Sequence, residues 1–569
     1  MSQIQLQLEP FADPGLSAER LLARLAILRD CIAPAMARRM NYYRNPAVPL
    51  ATFLPNARSL TLNARLYRQY QEVGLPTRIT GFRHTPDGLP VPIGALDIQR
   101  KEVVIENDIG WRVNTMVDFA VGQMPVIHST SPDPAKRRRA TLLLQSIFDA
   151  NGGAMLLTQL MLLGVIHGIS YMTIRADGEL LARLGAPATS GAVGAGADTE
   201  TEIERCETSG TPGEAGSGIA SIEQPPAGVA PVDDTAWARC VRLATVEAPR
   251  VLPVPAKESC GGLPELTYAA ILQPVIQPAA GGANVAISTL RRIAGWLTGT
   301  LSPQLSMQTP RSFDLWGPKH WQRYCEGHLA DQSANPMGFV PVVPFVHQPV
   351  PPAGSDYDWL EGTSEIDTLI PLQDELNTRL SDRANRVTMQ SFRMYLARGV
   401  DNFVSRPIGP GQMWQTDNPD AAIDTFGGDA ASPSEDNHIR ELREAMDKNS
   451  AVPPVAAGLV QNKVGHLTSA VALRVTLSAL LARSEKRRRA AEQTLGVVCR
   501  RVLELLDAAG VLKTSPADRE IEVNWAGALP ESISDRLDEA QRKLAVGIPR
   551  SVVLAELGYS ELNEAKTPV

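Results

Sequence analysis

Paired cysteines, an excess of positive charge and long apolar runs are what this 569-residue sequence has little of. Its six cysteines, Cys31, Cys206, Cys240, Cys260, Cys325 and Cys499, lie far apart with no CxxC pair. That argues against a zinc site or a disulfide framework and suits a reducing compartment. The 55 Lys plus Arg are outnumbered by 62 Asp plus Glu, a net charge of −7. No bulk positive field therefore advertises nucleic acid or a membrane surface, and any DNA contact has to be local. The opening MSQIQLQLEPFADPG puts acids and prolines where a signal peptide needs a basic end and an apolar run, so export by that route is not expected. The most apolar run, GAMLLTQLMLLGVIHGISYM, is interrupted by Gln159, His167 and Gly168 and passes into the alternation of ISYMTIRAD. It falls short of the roughly 20 residues a membrane span needs and reads as a buried helix running into a strand.

Chemical signatures are equally scarce. No GxxxxGK[ST] phosphate loop, HExxH or GxSxG occurs, although a nucleotide-driven motor or a hydrolase would need such an arrangement. GAVGAG near residue 191 is not GxGxxG, and no strand precedes it. His320, Cys325 and His328 are of metal-ligand type without a matching second pair, and read as core positions. The expectation is a protein with no catalytic residue, no metal and no cofactor.

What is present is helix. The 44% hydrophobic content is that of a globular chain, and the length exceeds one core, giving roughly three or four domains or one elaborated subunit. Ser17 can cap a helix with the apolar face Leu21, Leu22, Leu25, Leu28, Ile32 and Met36, ending before Pro46. Asn107 can cap NDIGWRVNTMVDFAVG, and PAKRRRATLLLQSIFDANGG closes at Gly152 and Gly153, its basic run a solvated face. GISYMTIRADGELLARL predicts a hairpin turning at Asp177 and Gly178. From about residue 185 to 234, nine acids face only Arg205 in a Gly, Ala, Ser, Thr and Pro background, the composition of a mobile acidic insertion. Strand-like pieces follow in CVRLATVEAPRVLPV and LTYAAILQPVI.

The C-terminal half has a particular order. A long helix from Thr363 to Ala397 carries Ile366, Leu369, Leu376, Leu380, Ala384 and Val387 at helical spacing, with acids early and arginines late, matching the helix dipole. A compact segment follows, then a helix capped by Ser434, then a break at Pro453 and Pro454. A very long helix capped by Thr468 or Ser469 runs to Gly510, about 60 Å at 1.5 Å per residue, with Gly496 a candidate kink.

In this order, NPMGFVPVVPF, GTSEIDTLIPLQDELNTRLSDRANRV, VPPVAAGLVQNKVGHLTSAVALRVTLSALLARSEKRR and VNWAGALPESISDRLDEAQRKLAVGIPRSVVLAELG resemble the portal proteins of tailed bacteriophages, the group sharing the siphophage and HK97-like portal fold. The resemblance spans most of residues 100 to 560, and the acidic insertion departs from it. It implies an α+β, predominantly α fold: a wing over residues 1–362, a stem helix at 363–397, a clip at 398–430, a second stem helix at 431–450, a tunnel loop at 451–467, a long wing helix at 468–510 and a crown at 511–569. It further implies a homo-oligomeric ring, a dodecamer in the virion, at one capsid vertex, assembled in the host cytoplasm. Double-stranded DNA would pass along the axis during packaging and ejection, with Gln461, Asn462, Lys463 and His466 on the tunnel loop facing it. Arg398, Arg406 and Trp414 on the clip would dock the large terminase and later the head-tail adaptor, and Arg379, Arg383 and Arg386 would lie on the stem. Major capsid protein and scaffold are the remaining implied partners, and no membrane is involved. The alternatives are a terminase motor or nuclease, which the missing phosphate loop disfavours, and a different connector or adaptor ring.

Overall fold

The computed structural model describes residues 18–49, 67–80, 82–84, 90–92, 102–122, 124–184, 234–256, 263–273, 312–325, 328–349, 362–391, 394–398, 419–426, 432–457, 470–525, 527, 533–548, 550 and 553–554. Ser17, Thr468, Ser469 and nearly all of the acidic insertion lie outside them.

The first helix is continuous in path but not in type. Helix α1 (Ala18–Ile27) passes through a π-turn at Leu28–Ile32 into α2 (Ala33–Arg44). Pro34 explains the π-turn: its ring would meet the carbonyl four residues back, and widening the helix lets Ala33 N–H bond Leu28 O instead. The expected face is largely inward, with Leu21, Leu25, Leu28 and Met36 buried. Asn45, left-handed at φ 42°, ends the helix before Pro46. Two short ribbons follow, β1 (Ala47–Pro49) with β2 (Tyr67–Gln69) and, after α3 (Thr77–Thr80), β3 (Phe82–His84) with β4 (Pro90–Pro92).

Helices α4 (Asp108–Ala120), α5 (Pro134–Ala150) and α6 (Ala154–His167) form the middle of the main core. The Asn107 carboxamide oxygen accepts from Gly110 N–H as expected, and α5 closes at Gly152 and Gly153, both at positive φ. Helix α6 runs straight into strand β6 (Ile169–Ala176), whose first six residues are buried. Among the described residues no single helix is long and apolar enough to cross a membrane.

The expected hairpin at Asp177–Gly178 does not form. Gly178 opens a short helix, α7 (Gly178–Arg183), with Leu180 buried and Glu179 paired to Arg183 one turn on. Asp177 is held by Arg242 instead. Leu180 and Leu181 offer helical rather than alternating burial, so Gly178 serves as a helix entrance. The strand partner of β6 comes later: α8 (Asp234–Cys240) leads into β7 (Val241–Glu247), which pairs along the whole of β6. Strands β8 (Val251–Pro255), β9 (Leu266–Leu272), β10 (Ser312–Trp316), β11 (His320–Cys325) and β12 (His328–Ala334) form an antiparallel five-stranded sheet in the order β12-β11-β10-β9-β8. Strand β13 (Val342–Val346) lies on the other side of β6. Cys325 and His328 are cross-strand partners, while His320 sits at the far end of β11 opposite Ala334, so the three do not converge, and both histidines are exposed rather than in the core.

In the C-terminal half the element order is as expected and the boundaries are not. Helix α9 spans Ile370–Ser391 rather than starting at Thr363, because Pro371 has no amide donor and fits only the first turn. It stops before Ala397: Met394–Arg398 is strand β14, paired antiparallel to β15 (Ala422–Phe426). Arg398 is therefore a strand residue and does not neutralise a helix end. Helix α10 (Pro433–Ser450) has Ser432, not Ser434, at its N-cap and Pro433 in its first turn. The long helix is broken at Leu477 (φ −90°, ψ 1°) into α11 (Ala470–Thr476) and α12 (Ser478–Ala508). Gly496 is an unbroken part of α12. Its end at Gly510, φ 70°, is as expected. Residues just past Gly510 belong to the main body, since Val511 and Leu512 enter the main core and β16 (Ile521–Asn524) pairs with β5 (Val126–Ser129). Helix α13 (Ile533–Ala545) follows.

Candidate functional site

The residues expected to face DNA, Gln461, Asn462, Lys463 and His466, and the clip residues Arg406 and Trp414 lie outside the described residues. Arg398 is exposed at the end of β14, opposite Ala422. The three stem arginines are all among the described residues, as are residues 432–457 and 470–525.

Helices α9 and α10 are bound side by side by charge. Arg386 pairs with Glu435, Arg383 Nη1 lies 3.1 Å from Asp436 Oδ1, and His438 Nε2 lies 3.4 Å from Glu375 Oε1. Arg379 stays on its own helix, 2.6 Å from Glu375 one turn back. The pattern has a local cause. Acids favour the first turn of α10, and the antiparallel return brings that turn against the arginine-rich end of α9. Arg383 and Arg386 thus pair across the two helices.

A second face of α9 carries a polar ladder at four-residue spacing: Gln373, Asn377, Ser381 and Asn385. Asn385 accepts from Glu102 N–H (3.0 Å) and donates to Glu102 O (3.1 Å). Ser381 Oγ accepts from Val104 N–H (3.0 Å), Asn377 Oδ1 from Glu106 N–H (3.0 Å), and Gln373 Oε1 from Ile109 N–H (3.1 Å). Gln373 Nε2 also donates to Glu106 O (2.6 Å). Four helical residues rise about 6 Å and two extended residues about 6.6 Å, so Asn385, Ser381 and Asn377 satisfy the alternate amides of Glu102, Val104 and Glu106 as a neighbouring strand would. Gln373, Asn377 and Ser381 are fully buried, and these bonds are what make burying them tolerable.

The segment leaving α10 is anchored by Arg112 of α4, 2% exposed. Its Nε donates to Asp108 Oδ2 (3.0 Å), Nη2 meets Asp447 Oδ1 (2.6 Å), and Nη1 donates to Ser450 Oγ and Val452 O, both at 3.0 Å. Burial pushes both carboxyl pKa values up, against the pull of the guanidinium. The returning helix α12 is tied in by Glu365. Arg487 Nη2 lies 3.0 Å from its Oε1, and Arg483 Nη1 lies 3.1 Å from its Oε2 while also donating to Asn449 O at 2.9 Å. Burial acts to raise the Glu365 pKa, but the hydrogen bond from His347 and the charges of Arg487 and Arg483 outweigh it and hold it at about 2. Burial keeps His347 below its ordinary value. His347 Nε2 lies 3.3 Å from Glu365 Oε1.

The sequence offers Glu365 only as an early acid of the stem helix and does not single out Arg112. Arg112 meets Ser450 and Val452 at separations of 338 and 340 positions, and Glu365 meets Arg483 and Arg487 at 118 and 122.

The described residues thus place an antiparallel helix pair, joined through a two-stranded ribbon, ahead of a long helix. Comparison with known proteins gives the particular family. Residues 306–559 match the family described as phage portal protein, SPP1 Gp6-like, and this similarity supports a phage portal role. The family is one of structural, non-enzymatic connectors that form capsid-associated oligomeric rings in the virion. The match starts just before β10, so Arg112 and the ladder partners at 102–109 lie outside it. No curated protein matches the chain.

Proposed function

We propose that copies of this chain close into a ring, a dodecamer in the particle, at one capsid vertex, and that double-stranded DNA is packaged, retained and ejected along its axis. The observation that carries the reading is the family match over residues 306–559. The order of elements inside that match supports it. Helices α9 and α10 are assigned as the stem, residues 398–430 as the clip, residues 451–467 as the tunnel loop, α11 and α12 as the long wing helix, and residues 511–569 as crown. Everything before α9 is wing.

A loop held at both ends on a packed body presents its tip without unfolding either helix. Gln461, Asn462, Lys463 and His466 form that tip in this reading. One lysine per loop suits a sliding contact: each phosphate neutralised contributes about −0.9 to the slope of log K against log salt, and ring symmetry multiplies it. Several basic residues per loop would clamp the DNA. Arg398, Arg406 and Trp414 form the surface for the large terminase and then the head-tail adaptor, and the wing contacts the major capsid protein and scaffold.

Two experiments test this. Negative-stain images of purified protein should show rings with a central hole; monomers at high concentration would overturn the proposal. Shortening the chain between Ala456 and His466 should leave rings intact and abolish packaging or retention of DNA, and loss of folding instead would mean that the segment is core.

A further inference from the structure

We propose that Arg112 is the positioning residue at the root of the 451–467 segment, fixing at Val452 the path by which the chain leaves α10. The inference rests on the reading of that segment as the DNA-facing loop for its purpose, though not for its geometry. If neutralising buried acid were the only task of Arg112, Nε to Asp108 and Nη2 to Asp447 would complete it. Nη1 goes instead to two uncharged acceptors, Ser450 Oγ and Val452 O, at the exit of α10. Ser450 Oγ is a node: it donates to Met446 O (2.7 Å), accepts from Arg112, and accepts from Val452 N–H (3.2 Å). Both peptide groups of Val452 are thereby held, and its side chain is fully buried. Ala451 between them is left-handed, at φ 56°, a conformation a non-glycine residue keeps only where its surroundings impose it. The next two residues, Pro453 and Pro454, have no amide hydrogen to offer, so Val452 is the last point before the break at which the backbone direction can be set by a donor and an acceptor together. The planar fork of an arginine reaches a charged and a neutral acceptor in fixed relative directions, which a lysine ammonium does not.

The test is hydrogen exchange on assembled full-length protein, comparing Ser450→Ala and Arg112→Lys with the unchanged chain, together with DNA retention in particles built from each. Ser450→Ala keeps both acid pairs, so it decides the matter even where Arg112→Lys fails to fold. The expected result is exchange roughly tenfold faster or more in the peptide covering 449–460, with α4 and residues 436–446 of α10 unchanged. Unchanged exchange at 449–460, or equal acceleration through α4 and α10, overturns the proposal. Local acceleration with DNA retention unaffected leaves the positioning role standing and removes the DNA-facing reading of the segment.

Discussion

Gly168 and Gly362 approach so closely that neither has room for a methyl group. A Cβ on Gly362 would lie 1.8 Å from Gly168 O, and one on Gly168 would lie 2.0 Å from Gly362 O. Gly168 is also left-handed, at φ 88°, where it ends α6 and starts β6. The contact is backbone on backbone, so no side chain can swing aside. Alanine at either position is expected to lower stability by about 2–4 kcal/mol, with Gly168→Ala the worse because it adds the backbone penalty. Urea unfolding of the purified variants checks this; midpoints equal to that of the unchanged protein would show that the two segments part easily.

Glu365 makes the fold acid-sensitive in a defined window. Its folded pKa of about 2 lies below the ordinary 4.5. A depressed carboxyl contributes its full stabilisation above the unfolded value and loses it as pH falls through the folded one. The contribution is roughly 3 kcal/mol from that difference, lost between about pH 4.5 and 2. Glu365→Gln should be less stable at pH 7, leaving Arg487 buried without its counter-charge, and its stability should be flatter below pH 5. Parallel curves for the two proteins would show that the carboxylate is not the acid-sensitive group. His167, which burial and the charge of Arg39 hold at about 4 against an ordinary 6.5, adds a separate loss that begins higher, as pH falls from about 6.5 towards 4.

The ladder on α9 predicts an asymmetry. Asn377→Leu keeps the volume but leaves the Glu106 N–H without its acceptor, and should cost about 1–3 kcal/mol. Asn385→Leu, at the exposed end beside Glu102, should cost less, since water can replace the carboxamide. Equal effects, measured by unfolding and by exchange of the Glu106 amide, would argue that the ladder is not what fastens the 102–107 segment.

The two ion pairs between α9 and α10 should not be equivalent. Arg386 and Glu435 have side-chain exposures of 26% and 14%, and Arg383 and Asp436 of 47% and 51%. Double-mutant cycles are expected to give a coupling of about 1 kcal/mol for the first and no more than about 0.5 for the second, with the second disappearing in high salt. A larger coupling for Arg383–Asp436 would contradict this ranking.

Apolar spacing, caps and breakers, being local, made the element order legible: the caps at Asn107 and Gly510, the closure at Gly152 and Gly153, α6 running into β6, and the four segments that resemble portal proteins in their order. Boundaries were less legible where a local signal had two outcomes. Asp-Gly at 177–178 serves a hairpin or a helix entrance, and only the pairing of β6 with a strand some 70 positions later, Val241–Glu247, decides between them. The same holds for Met394–Arg398, which continues a helical pattern until Ala422–Phe426 arrives to pair with it.

By itself the sequence determined the order of the long helices, which face of each is apolar, and where prolines and glycines interrupt them, since these depend on contacts within a turn or two. Tertiary structure alone decided that Arg112 meets Val452, that Glu365 collects His347, Arg483 and Arg487, and that Gln373, Asn377 and Ser381 serve the backbone of 104–109. A buried polar side chain is stable only with its partner present, and nothing in the neighbouring residues says which distant part of the chain will supply it.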